Sequence, residues 1–181
     1  MMRAVPWQTG EICGPDAAKT LNKAEQLKRD WTKAKKPLMI VGSDAVKVKY
    51  GKGDLIDYSI ELSNAGKIPV VATGGAIKHF IERGFEGAKS MGAMEIVGYL
   101  QDPDWKGPHG KGPHDLIFTH SMPYYMEWTL LSGVMNFARH ITPIALGRYY
   151  QPHATWSMPN LKEKNYQELL KEILEFIGGG K

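Results

Sequence analysis

The stretch Pro37-Leu38-Met39-Ile40-Val41-Gly42-Ser43 decides the fold. Four consecutive apolar residues, opened by a proline and broken by glycine and serine, read as a strand buried on both faces. Upstream, Ala17, Leu21, Ala24, Leu27, Trp31 and Ala34 recur at three- and four-residue steps. This spacing predicts an amphipathic helix with Pro15 in its first turn and Pro37 as its limit. Downstream the same grammar repeats. Asp54 is placed to cap a helix carrying Leu55, Ile56, Tyr58, Ile60 and Leu62, with Gly66 as its stop. A second strand, Ile68-Pro69-Val70-Val71-Ala72, then breaks at Thr73-Gly74-Gly75.

Helical segments follow around Ala76–Arg83 and Ala93–Leu100, and then a long irregular stretch, Asp102 to His114, containing Lys106-Gly107-Pro108-His109 and Lys111-Gly112-Pro113-His114. Asp115-Leu116-Ile117-Phe118-Thr119 is the third strand, ending at His120-Ser121, and Pro123 starts a helix to about Ala138. Ile141 to Leu146 is the fourth strand, ending at Gly147-Arg148. A last helix has Tyr166, Leu169, Leu170, Ile173 and Ile177 as its stripe, with Asn160 or Asn165 as its cap and Gly178 as its stop. Alternating helix and strand, joined by right-handed crossovers, gives an α/β, doubly wound, Rossmann-like parallel sheet with helices on both faces. The whole chain, 1–181, reads as one domain with an extended N-terminal arm of about residues 1–14.

Hydrophobic residues make up 43% and charged residues 23%, near globular averages, which excludes disordered, coiled-coil and collagen-like classes. Net charge is a mild +4. The cluster Lys19, Lys23, Lys28, Arg29, Lys33, Lys35 and Lys36 reads as a solvated helix face, so no nucleic-acid partner is expected. No apolar run is long enough for a membrane helix and the start lacks a signal-peptide core, which predicts a cytoplasmic protein. Cys13 is the only cysteine. The chain therefore builds neither an intrachain disulfide nor a thiolate-ligated iron–sulfur cluster by itself.

In doubly wound sheets, ligands bind outside the carboxyl ends of the strands, where the strand order reverses. The candidate cofactor-binding residues are thus Gly42, Ser43, Thr73, Gly74, Gly75, His120, Ser121, Gly147 and Arg148. Glycine at such ends lets backbone N–H groups approach a phosphate, although it also simply turns the chain. The full dinucleotide fingerprint is missing, because Gly51-Lys52-Gly53 lacks its third glycine and does not directly follow a strand. No metal site is expected from the six scattered histidines, and no catalytic triad can be argued from residue order. His120 beside Ser121 is either a ligand-facing imidazole or a histidine bonded to backbone. The Pro123–Ala138 helix is apolar almost all round, with Tyr124, Trp128, Leu131, Met135 and Ala138 in one stripe and Tyr125, Met126, Leu130, Val134 and Phe137 widening it. Such a helix is either central in the domain or covered by another chain. Trp7, Tyr149, Tyr150, Trp156 and Arg148 add residue types enriched at interface centres.

The strand motifs above, with Asn136-Phe137-Ala138, Arg148-Tyr149-Tyr150-Gln151-Pro152 and Trp156-Ser157-Met158-Pro159-Asn160-Leu161, resemble the epsilon subunits of archaeal acetyl-CoA decarbonylase/synthase complexes over nearly the whole chain. The stretch from Tyr149 to Leu161 is the most specific part. The loop Lys106–His114 and the turn Thr73–Ala76 depart from the family's pattern. The resemblance implies a fold like the NAD/FAD-binding domain of deoxyhypusine synthase and the central domain of thiamine-diphosphate enzymes. It further implies a non-catalytic small subunit bound to the large (alpha) nickel–iron–sulfur carbon monoxide dehydrogenase subunit in an alpha2-epsilon2 assembly. The nickel–iron–sulfur and iron–sulfur clusters would lie in that partner. Two roles follow, stabilisation and assistance of electron transfer from CO oxidation to FAD. The alternative is a free-standing flavin- or nicotinamide-nucleotide-binding oxidoreductase using His120 as acid or base.

Overall fold

The computed structural model describes residues 16–180. The expected N-terminal arm, with Trp7, Cys13 and Pro15, lies outside the described residues. Among the described residues nine strands and six α-helices follow in the order β1 (Lys19–Thr20), α1 (Lys28–Lys33), β2 (Pro37–Val41), β3 (Lys49–Tyr50), β4 (Gly53–Asp54), α2 (Leu55–Gly66), β5 (Val70–Ala72), α3 (Ala76–Glu82), β6 (Ala88–Ser90), α4 (Ala93–Leu100), β7 (Leu116–His120), α5 (Tyr124–Phe137), β8 (Thr142–Ala145), β9 (Trp156–Ser157) and α6 (Glu163–Gly178). Seven strands form one parallel sheet in the order β1-β9-β8-β7-β2-β5-β6. From β6 inward, the chain order of the strands is third, second, first, fourth, fifth, sixth, which is the doubly wound arrangement; β1 is added at the far edge.

Strand β2 is buried throughout, and its side chains divide the core. Met39 and Val41 pack with Trp31, Leu62, Phe80 and Ile173, from α1, α2, α3 and α6. Leu38 and Ile40 pack instead with Ile96, Leu130, Leu131 and Val134, from α4 and α5. Each face of the strand is thus dry, which is why its sequence is an unbroken apolar run. The two layers are unequal, with four helices on one face and two on the other. No helix links β8 to β9, so α5 is the last helix on its side.

Several local expectations are corrected. The helix foreseen from Ala17 begins only as a 3-10 turn at Ala24–Leu27 and becomes α-helical at Lys28. Lys19 and Thr20 are drawn into the sheet against Trp156 and Ser157, and Gln26 Oε1 accepts from the N–H groups of Asn22 and Lys23, which fixes the later start. Of the predicted stripe, Ala17 is exposed, before the helix begins, while Leu21, Ala24, Leu27, Trp31 and Ala34 are all buried. Gly51-Lys52 forms the turn of the β3–β4 hairpin, and Gly51 has φ +56°. Helix α2 starts at Asp54 as expected, the carboxylate accepting from Ile56 N–H at 2.9 Å. It ends on a left-handed Lys67, and Gly66 instead makes room for Ile177, whose Cγ2 would lie 2.8 Å from an added Cβ. Neither Asn160 nor Asn165 caps α6. Lys162 occupies that position, while Asn160 Oδ1 accepts from Tyr150 N–H at 3.0 Å.

Candidate functional site

The carboxyl ends of β2 and β7 lie side by side, and their following segments leave toward opposite helix layers, β2 to α2 and β7 to α5. This is the switch point where a ligand crevice is expected. Here the chain fills it. Gly42 N–H donates to His120 O at 2.9 Å and Asp44 N–H to Ser121 O at 2.9 Å. A Cβ at Gly42 would sit 2.1 Å from Ser121 O, so the glycine serves backbone-to-backbone contact. Ser121 adopts φ +62°, an uncommon conformation for a side-chain-bearing residue.

His120 is 1% exposed. Its Nδ1 lies 2.7 Å from Ser121 Oγ and its Nε2 3.1 Å from Ser59 Oγ. The Ser59 hydroxyl is already committed to donating to Leu55 O. It therefore accepts from Nε2–H, and Ser121 Oγ donates to Nδ1, which assigns the neutral tautomer. Burial lowers the His120 pKa to about 4, consistent with a neutral ring. Thr73 is similarly enclosed, its N–H and Oγ1 both donating to Val41 O.

One strand over, a cavity of about 450 Å³ opens between the segments that follow β2, β7 and β8 and the start of α6. Ser121, Gly147 and Arg148 line it, together with Lys49, Glu127 and Gln151. Glu127 stands on the buried face of α5, accepts from Thr119 Oγ1 at 2.7 Å, and approaches Gly147 closely enough that a Cβ there would lie 3.2 Å from Oε2. Burial pushes its pKa up to about 7, against the opposing effect of hydrogen bonds from Thr119 and Gln151. Gln151, 1% exposed, donates its backbone N–H to Ser157 Oγ at 2.9 Å and its Nε2–H to Tyr124 O at 3.3 Å. Its Oε1 has no partner. Arg148 Nε donates to Leu161 O at 2.7 Å, and its guanidinium carbon lies 5.5 Å from the centroid of the Tyr149 ring.

The nine residues expected at the site therefore fall into three groups. Ser121, Gly147 and Arg148 share the cavity. Ser43, Gly74 and Gly75 lie exposed at the neighbouring turn, where Gly74 has φ +58° and an added Cβ at Gly75 meets nothing within 4 Å. Gly42, Thr73 and His120 are enclosed by their own hydrogen bonds. Glu127 and Gln151 were not foreseen. The signal for Glu127 was present: a carboxylate three and four residues before Leu130 and Leu131 stands on the helix's apolar stripe.

An FAD molecule held in a sheet of this order lays its pyrophosphate on the turn after the first strand of the reversal. That turn, at Gly42, has its N–H committed and its open side occupied by Ser121. The residues present do not fit a dinucleotide there. Among the described residues, no group of three or more His, Cys, Asp or Glu is arranged to hold a metal ion, and no helix is long and apolar enough to cross a membrane.

Residues 1–174 match the family described as CO dehydrogenase beta subunit/acetyl-CoA synthase epsilon subunit. The chain is 30% identical to the acetyl-CoA decarbonylase/synthase complex subunit epsilon of Methanothermobacter thermautotrophicus, over 94% of this chain and 95% of that protein. It is 30% identical to the corresponding subunit of Methanothrix soehngenii, over 94% and 89% of the two chains. It is 35% identical to subunit epsilon 1 of Archaeoglobus fulgidus, over 79% and 76%. With a family match over residues 1–174 and relatives of 30% identity along nearly the whole length, the chain belongs to the CO dehydrogenase beta subunit/acetyl-CoA synthase epsilon subunit family.

Proposed function

We propose that this chain is a non-catalytic small subunit of an acetyl-CoA decarbonylase/synthase complex, which docks in the cytoplasm on the nickel–iron–sulfur carbon monoxide dehydrogenase subunit and stabilises it. The nickel–iron–sulfur and iron–sulfur clusters belong to that partner, and the assembly pairs two copies of each chain. The observation that supports docking is the thin helix layer. No helix links β8 to β9; Tyr150 and Ala154 of that connection pack against the sheet instead, and among the described residues a groove of about 450 Å³ opens beside Met135, Arg139, Pro143 and Thr155. Parallel strands are ordinarily covered on both faces. The adjoining helices expose large apolar side chains outward: Tyr125 is 67% exposed, Phe137 70%, Met94 48% and Tyr99 46%. Side chains of this kind form the centres of interfaces.

Assistance of electron transfer to FAD, the other role implied by the family resemblance, has no such support, since the Gly42 turn does not fit a pyrophosphate; no step is derived through it. The free-standing oxidoreductase is disfavoured by His120, which is enclosed, neutral and bonded at both ring nitrogens. The test is co-expression with the large subunit of the same complex, followed by size-exclusion chromatography. Wild-type chain is expected to co-elute with its partner, and the double variant Tyr125→Asp/Phe137→Asp to elute alone with an unchanged circular dichroism spectrum. Failure of the wild type to associate removes the reading; undiminished association of the variant moves the docking face elsewhere.

A further inference from the structure

We propose that the cavity at the carboxyl ends of β7 and β8 binds a small organic anion, of about mononucleotide size, that carries an uncharged N–H donor. Its phosphate or carboxylate lies at the mouth against Arg148 and Lys49, and its N–H meets Gln151 Oε1 on the wall.

Three observations carry this. The first is the unpartnered acceptor. Gln151 Nε2 faces Tyr124 O, a group that only accepts, so the amide is oriented and Oε1 is left as a buried acceptor with no donor among the described residues. Buried polar atoms without partners mark places where a missing group belongs. The second is charge. Lys47, on the same wall, is paired with Asp44, but among the described residues neither Lys49 nor Arg148 has a carboxylate partner. Glu163 also lines the cavity but forms no ion pair with either cation, and burial raises the Glu127 pKa to about 7. The third is size. A cavity of about 450 Å³ falls in the range of small-molecule sites and suits an occupant of about mononucleotide size.

The site is independent of the docking reading, because its lining residues are distinct from the exposed side chains of α4 and α5. Isothermal titration of the full-length protein tests it with four probes: adenosine monophosphate, N-acetylaspartate, adenosine and inorganic phosphate. Adenosine monophosphate or N-acetylaspartate is expected to bind, whichever is tighter identifying phosphate or carboxylate as the preferred anion. Adenosine and inorganic phosphate, each lacking one half of the recognition, are expected to bind at least about tenfold more weakly. Arg148→Gln is expected to weaken the tighter probe at least about tenfold, and Gln151→Leu to do the same while leaving inorganic phosphate unaffected. Gln151→Met, also lacking the acceptor, replaces Gln151→Leu if the latter melts early. The proposal is overturned if no probe binds at millimolar concentration, if the variants bind as wild type does, or if only Arg148→Gln weakens binding.

Discussion

At Gly42 and Ser121 two strand ends touch through backbone atoms alone, and one hydrogen atom in place of a methyl group makes that contact possible. Gly42→Ala is expected to lower stability by about 1–3 kcal/mol, because the new carbon meets a backbone oxygen that cannot rotate away. Gly75→Ala, with φ −77° and no neighbour within 4 Å, is expected to stay within about 0.5 kcal/mol of wild type. Urea unfolding of both variants checks the pair; equal effects would contradict the closed switch point. The two glycines follow strands in the same manner and look alike in the sequence. Whether a strand-end glycine admits a ligand or another backbone depends on what the neighbouring strand's end does, and that is a property of the pairing, invisible at either residue.

At the scale of the element, α5 carries a carboxyl group into the core, and its proton has consequences. Glu127 has a folded pKa near 7, above the ordinary 4.5, so its contribution to stability is present below about pH 4.5 and lost as pH rises through about 7. His120, at the end of β7, runs the other way. Its folded pKa near 4 lies below the ordinary 6.5, so its contribution is present above about pH 6.5 and lost as pH falls through about 4. Each effect is on the order of 3 kcal/mol at its limit, and between about pH 4.5 and 6.5 their slopes oppose each other. Glu127→Gln keeps the shape and removes the titration. It is expected to exceed wild-type stability by up to about 3 kcal/mol at pH 8 and to differ little at pH 4.5, measured by urea unfolding at both values; a variant offset equally at the two would show that packing, not ionisation, is responsible. The elements that carry these groups were legible, since β2, β7 and α5 have long apolar patterns. β1, β6 and β9 were not. They are two or three residues long with at most one buried residue apiece, too few to show a period.

For the whole molecule, the doubly wound class follows from the alternation of apolar runs and periodic segments, but the imbalance of its two layers does not. That imbalance arises because the β8–β9 connection, residues 146–155, is irregular, and an aromatic-rich loop gives no sign in advance that it takes a helix's place against the sheet. The surplus apolar surface of α5 was visible in its composition, whereas the choice between a central helix and a covered one needed the sheet order. Leu130, Leu131 and Val134 face the sheet while Tyr125 and Phe137 face outward, so the apolar surplus of the helix lies on the side away from the sheet.

The two ends of the sheet are also unlike. At the amino end, the segment 102–115 is stitched to the residues that lead into β2 and to β5: Asp115 accepts from Lys35 and Lys36 N–H, His114 Nδ1 donates to Lys36 O at 3.0 Å, and His109 Nε2 to Val70 O at 3.4 Å. Between these two histidine anchors, Gly110 and Lys111 are exposed. The tip thus offers a permissive entry point: an affinity peptide spliced between Gly110 and Lys111 is expected to leave the melting temperature within a few degrees of wild type, read by circular dichroism. Such a handle would immobilise the protein from the end of the sheet opposite the cavity, leaving that mouth open to whatever is passed over it.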